Sequence, residues 1–294
     1  MLSRRAFSIL INSSQPLTSV NSCASSFWKE KCLFKSRTEV ILQTTRGLSS
    51  FREKKRFYKR AGVEQSNEGY QVTLDERKVK TPSRKPLVLP SKQLAMAVAA
   101  EWNMQKDVIE TSNMNLTTLA YITIDKPNPR TKATQITEVL EFLCTDTVCF
   151  PASEPEDLVN LQKQEWEPII AWFNARFNAR FDVSVESFGN LLVPSIPKDT
   201  TSKLTSHLMT VNDWAMTGLE YAVDTSKSFI IGMALLENHI NVEKAAYLSR
   251  LELEFQIGRW GSVEWAHDVD LMEIRSRLAA ASLFYHLCNK EITS

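Results

Sequence analysis

Glycine is scarce in this chain. Eight occur in 294 residues, no two are adjacent, and none forms G-x-G-x-x-G or G-x-x-x-x-G-K-[ST]. Those loops supply the backbone amides that cradle phosphates, so nucleotide binding by a standard loop is excluded. Histidine is rarer still: His207, His239, His267 and His286 are scattered one per predicted helix or loop, without an H-E-x-x-H pair. A G-x-S-x-G elbow is also missing. Five cysteines occur without C-x-x-C spacing, and with Cys23 and Cys32 near the N-terminus only Cys144, Cys149 and Cys288 remain for the body of the chain. That pattern supports neither a zinc knuckle nor a disulfide framework, and the three read as small buried apolar residues. The longest uncharged apolar run, Phe229 to Leu236, falls far short of the roughly 18 to 20 residues a membrane-crossing helix needs. No stable membrane insertion is expected.

What is present begins with average globular composition, 43% apolar and 23% charged, which argues against disorder and rods. The net charge of +1 hides an asymmetry. Residues 1–60 carry thirteen Lys/Arg against Glu30, Glu39 and Glu53, leaving 22 bases against 31 acids in the rest. The first 29 residues hold no acid and eight serines, and Arg4 and Arg5 precede the apolar stretch Phe7 to Ile11. Arg-rich, Ser-rich and acid-poor composition is that of a mitochondrial transit peptide. The expectation is therefore a presequence over residues 1–50, removed near Arg46 to Ser50, and a mature acidic protein starting close to Phe51.

Two patterns follow. Tyr70, Val72 and Leu74 alternate with Gln71, Thr73 and Asp75 between turn residues, which predicts strands over Arg56 to Val63, Tyr70 to Leu74, Lys78 to Thr81 and Leu87 to Val88, with Asp75-Glu76 as a hairpin tip. Ser91 then caps a helix carrying Leu94, Val98 and Trp102 on one stripe. Asn115 to Ile124 is apolar but of uncertain type. Neither Pro127 nor Pro129 tolerates helix before it, so the domain boundary is placed there. The expected α+β architecture is an N-terminal antiparallel sheet with helix over 51–127 and an all-α domain over 128–294. The latter reads as five or six helices: Thr131 to Cys144, one opened by a Ser153 to Glu156 capping box, then Thr200 to Val223, Ser226 to Asn238, Val242 to Ile257 and Val263 to Cys288.

Three chemistries compete. Glu264-x-x-His267 with Asp268 and Asp270 resembles half of a di-metal bundle site, against the plainer reading of acids complementing a helix dipole. Lys54 to Arg60 (KKRFYKR) interleaves Phe57 and Tyr58 with five bases, a short nucleic-acid-like patch that also reads as a solvated edge strand. The third is protein recognition. Seven Trp occur, several beside a carboxylate, and the densest stretch is Ser249 to Asp268, where Leu251 and Phe255 fall on one helix face and Glu252 and Gln256 on another.

That stretch, SRLELEFQIGRWG, also carries a resemblance. With KRFYK, VTLDERKVKTP (Val72 to Pro82), the AAEW ending at Trp102, LTTLA (Leu116 to Ala120), DTVCF (Asp146 to Phe150) and LVNLQKQEWEPIIAW (Leu158 to Trp172), it is similar to the mitochondrial ATP synthase F1 complex assembly factor 2 family, from about Arg56 to Cys288. The resemblance implies a non-enzymatic matrix chaperone without cofactor. It implies binding of the free alpha subunit of F1-ATPase, shielding of its subunit-interface surface and release into hexamer assembly. Carried over by position, the partner-binding residues it implies are Arg77, Lys80, Trp102, Glu252, Glu254, Gln256 and Trp260. Two positions depart from the family pattern: Leu253, where relatives usually carry an acid, and Glu76, where many have Gly.

Overall fold

The computed structural model describes residues 54–126, 130–179 and 196–289. The presequence expected over 1–50, the Pro127 to Pro129 linker and Pro194 lie outside them.

Two short hairpins start the described chain. β1 (Ala61–Ser66) pairs antiparallel with β2 (Gly69–Leu74), and β2 turns through Asp75 and Glu76 into β3 (Arg77–Lys78). Asp75 takes the left-handed conformation at φ 55° that Asp tolerates better than most side chains, so the tip closes without glycine at Glu76. β4 (Val88–Leu89) pairs with the other half of β2, so β3 and β4 share one edge of that strand. Of the predicted alternation, Val72 and Leu74 are buried as expected, but so is Thr73. It faces Gly62 of β1, where an added Cβ would stand 3.2 Å from its Oγ1.

Helix α1 (Lys92–Met104) starts at Ser91, whose Oγ accepts from the Leu94 amide at 3.1 Å, and it lays Leu94, Ala95, Val98, Ala99 and Trp102 against the sheet. Asn103 pins the assembly by exchanging hydrogen bonds with both backbone groups of Ala61. The ambiguous segment is helix α2 (Asn115–Asp125), and its start is capped from outside. Glu101 of α1 accepts from the Leu116 and Thr117 amides at 2.7 and 2.8 Å and from the Thr117 hydroxyl. A carboxylate there satisfies amides that no helix end can satisfy itself, and it complements the dipole. Burial pushes the Glu101 carboxyl above its ordinary value, against the pull of those donors.

The helical body comprises α3 (Lys132–Glu141), α4 (Glu156–Phe177), α5 (Lys198–Thr210), α6 (Asp213–Ser226), α7 (Phe229–Leu236), α8 (Val242–Ser249), α9 (Leu251–Trp260) and α10 (Ala266–Asn289). These are eight helices among the described residues, against the five or six expected. Two predicted helices are broken. Asn212 starts α6 afresh with its side chain accepting from the Ala215 amide, and Arg250 separates α8 from α9. α4 begins at Glu156 behind Pro155, without the side-chain cap expected from Ser153.

Every residue of α7 is buried, enclosed by α4, α6, α8 and α10. Asp146, itself fully buried, accepts from the amides of Ile230 at 3.0 Å and Val148 at 3.2 Å, so one carboxylate satisfies donors of α7 and of the turn at Thr147–Cys149. Desolvation raises its pKa to about 6 despite those donors. α10 is the long cover. It packs on α6, where Gly218 lets the backbones approach: a Cβ there would meet Ala281 O and Tyr285 N at 3.2 Å. α10 also reaches the first helices, since the Ser91 hydroxyl donates to the Leu287 carbonyl at 2.9 Å and Asn115 donates to Ser276 at 2.9 Å.

Candidate functional site

α9 is amphipathic and only half covered. Leu251 is buried, Phe255 is partly so, and Glu252 and Gln256 face solvent on the other side, as their spacing predicts. The helix and the turn leading into it are held at three points. Gln162, buried on α4, donates to Glu252 Oε1 at 2.9 Å while its own carbonyl accepts from the Ala152 amide. Trp166, also on α4, donates its indole N–H to the Leu248 carbonyl at 3.2 Å and so anchors the end of α8 from which α9 departs. Arg250, its side chain 4% exposed, lies between the first turns of α9 and α10, 3.0 Å from Glu254 and 3.1 Å from Asp270. Both are ion pairs by distance rather than aligned hydrogen bonds. A guanidinium suits this place because it stays charged when buried and offers a planar fork to several acceptors. A cleft of about 320 Å³ opens beside it, lined by Thr147, Trp166, Arg250, Glu252, Leu253 and Gln256. Burial first, then the carboxylates of Glu165 and Glu254, push the nearby Tyr247 phenol upward.

α9 ends at Gly261, whose φ of 89° is a left-handed value that favours glycine. The short connection to α10 is closed by His267, whose Nδ1 accepts from the Val263 amide at 3.1 Å. Around this corner stand Trp260 and Trp265, 73% and 75% exposed, with Val263, Val269 and Met272 exposed beside them.

The expected partner-binding residues separate into groups. Glu252, Glu254, Gln256 and Trp260 share α9. Arg77 and Lys80 are exposed at the sheet, on β3 and just after it. Trp102 needs correcting as a contact residue: it is 6% exposed, edge-on to Tyr58 at 5.7 Å, and shapes the sheet's core instead of reaching a partner. Of the described Trp, 102 and 166 are core, 172 and 214 are half-buried, and only 260 and 265 stand free.

The rival chemistries fare differently from α9. Glu264 and His267 have no third ligand: among the described residues no group of three His, Cys, Asp or Glu could hold a metal, and His267 spends Nδ1 on the backbone. In the basic segment, Tyr58 is buried and donates to the Trp102 carbonyl, while Arg56 spends its guanidinium on the carbonyls of Tyr58, Gln105 and Lys59. The Tyr58 ring and the Arg56 fork are thereby used within the protein, while Phe57 stays exposed beside Lys54, Lys55, Lys59 and Arg60. Among the described residues no helix is long and apolar enough to cross a membrane.

Sequence reasoning missed Arg250 and Gln162, whose roles are tertiary and leave no local trace. It also missed the strip at Trp265, Val269 and Met272. Their i, i+4, i+7 spacing was readable, but it competes with Ile274 and Leu278 on the helix's other side.

A small sheet backed by one helix, followed by a helical body that presents a braced acidic and aromatic ridge, is suited to holding a protein partner, as a chaperone does. Residues 55–174 match the family described as ATP12 chaperone protein, a span ending within α4. The chain is similar to Protein atp12, mitochondrial, of Schizosaccharomyces pombe, 28% identical over 237 residues that cover 78% of this chain and 81% of that one. It is also similar to Protein ATP12, mitochondrial, of Saccharomyces cerevisiae, 29% identical over 253 residues that cover 72% and 77%. The crystal structure of Atp12 from Paracoccus denitrificans matches with a TM-score of 0.70 at 28% identity, covering 80% of this chain and 99% of that one. Over residues 55–174 the chain matches the ATP12 chaperone family, and its similarity to these Atp12 proteins extends over most of its length.

Proposed function

We propose that this ATP12-family chaperone serves ATP synthase assembly by binding the free alpha subunit of F1-ATPase, shielding its subunit-interface surface and delivering it to the hexamer. It acts in the mitochondrial matrix after loss of the N-terminal presequence. The family match carries the reading. The acidic face of α9 adds a surface that needs no catalysis to work, because an unassembled subunit exposes apolar interface and reversible burial removes that hazard. Glu252 and Gln256 are outward-facing, and Glu252 is braced from behind by Gln162, which makes them the first contact residues to test; Arg77 and Lys80 are a second, separate group.

The test is light scattering of purified alpha subunit alone, with the full chain, and with Glu252→Gln or Glu252→Lys variants shown to be folded. Glu252→Gln keeps an acceptor for Gln162 and removes only the charge. Wild type is expected to suppress aggregation, Glu252→Lys to lose most of that effect and Glu252→Gln part of it. If wild type does not suppress it, the client assignment is wrong; if both variants act like wild type, α9 is not the contact.

A further inference from the structure

We propose that the corner between α9 and α10 is a docking strip for an apolar polypeptide segment flanked by Lys or Arg. Val269 and Met272, three residues apart, share one face of the first turns of α10, and Trp265, the residue before the helix with a left-handed backbone at φ 69°, stands exposed at its head. Further along, Ala279 and Leu283 are also exposed, while Leu278, Ala281 and Phe284 of the same helix are buried and Ser276 is engaged by Asn115 of α2. α10 therefore has two apolar faces, one used by the core and one left bare. Trp260 and Val263 extend the bare face around the corner. The two Trp at about three-quarters exposure present on the order of 300 Å² of ring surface, as much as the largest apolar patch on many monomers.

The charge around the strip selects the occupant. Residues 250–277 contain six carboxylates, Glu252, Glu254, Glu264, Asp268, Asp270 and Glu273, against four arginines; Arg250 pairs with Glu254 and Asp270, Arg277 with Glu273 and Arg275 with Glu243, so Glu252, Glu264 and Asp268 carry the rim's excess negative charge against Arg259. Arg259 lies 5.8 Å over the Trp260 ring. On α10, Asp268 and Glu273 lie to either side of Val269 and Met272. A second copy would bring this acidic rim against itself, and an anionic lipid surface would be repelled likewise. A segment with apolar anchors and basic flanks matches both the strip and its rim. The strip is also preorganised: Arg250 ties α9 to α10, and His267 fixes the connection. The inference rests on the chaperone reading only for identifying the client that supplies the segment.

The test uses the full chain and two labelled synthetic peptides, one of Leu and Lys at helical spacing and its Leu and Glu counterpart, followed by fluorescence anisotropy. Wild type should bind the Lys peptide at least tenfold tighter than the Glu peptide, with affinity falling as salt is raised. A Trp265→Ser, Val269→Ser variant should lose at least tenfold with an unchanged thermal transition. Met272→Glu and Met272→Lys should shift Lys-peptide binding in opposite directions, up and down, which keeps the test valid should the double variant fold poorly. Equal binding of both peptides, or undiminished binding by the variants, overturns the proposal, as does a dimer that the double variant dissolves. Aggregation of alpha subunit in the presence of the same variants separates the two readings. Lost peptide binding with full protection of alpha overturns the strip as the client site. Peptide binding by a wild type that fails to protect alpha supports the strip and overturns the client.

Discussion

Replacing Arg250 with Met removes the one cation between the first turns of α9 and α10 while keeping most of the apolar stem. Cutting one partner from a fully buried ion pair costs about 3 to 5 kcal/mol, but the carboxylates left behind are not fully buried: Glu254 is 27% and Asp270 51% exposed in the side chain. Water recovers much of their solvation, and pairs of that exposure contribute up to about 1 kcal/mol each. The expected loss is therefore about 1 to 3 kcal/mol, seen as a fall in Tm of roughly 2 to 10 °C for a domain of this size. The loss should be local first. Amides of α9 should exchange with deuterium about 10- to 100-fold faster, at about 1.4 kcal/mol per factor of ten, while α6 and α7 keep their protection. Arg250→Lys should fall between, since a point charge cannot fork to two acceptors. Unchanged exchange in α9, or a variant as stable as wild type, would refute the idea that this guanidinium holds the ridge together.

Glu101→Ala leaves the amides of Leu116 and Thr117 without an acceptor, and urea unfolding should show a loss of about 2 kcal/mol; a change under half that means water replaces the carboxylate. Asp146 titrates near 6 when folded and near its ordinary 3.8 when unfolded, so the folded state holds the proton more tightly. Its contribution to stability is full below about pH 4 and lost as pH rises through 6, amounting to about 3 kcal/mol. The difference in unfolding free energy between wild type and Asp146→Asn should change by that amount from pH 4 to pH 7, and parallel pH curves would contradict it.

Local signals carried most of the architecture. Ser91 before an apolar stripe placed the start of α1 to the residue, and the period of two through Tyr70 to Leu74 placed β2, because one face of each was going to a core. Helix breaks were harder. Asn212 is a good cap within an otherwise helical run and could have been read as one, whereas Arg250 interrupts α8 and α9 only because its side chain is drawn between two helices that the sequence cannot bring together. The Trp residues divided for the same reason. Glu101-Trp102 and Glu264-Trp265 are alike as dipeptides, yet the first ring is roofed by a sheet and the second by nothing. Exposure depends on what arrives from elsewhere in the chain.

The span from Ser91 to Leu287 also has a consequence in time. A chain that emerges or is threaded N-terminus first presents α1, α2, α6 and the wholly apolar α7 well before α10 exists to cover them. Loop closure over nearly two hundred residues is slow compared with the local pairing of β1 and β2. Until the residues of α10 arrive, the chain exposes apolar surface of the same kind that it is proposed to shield in a client.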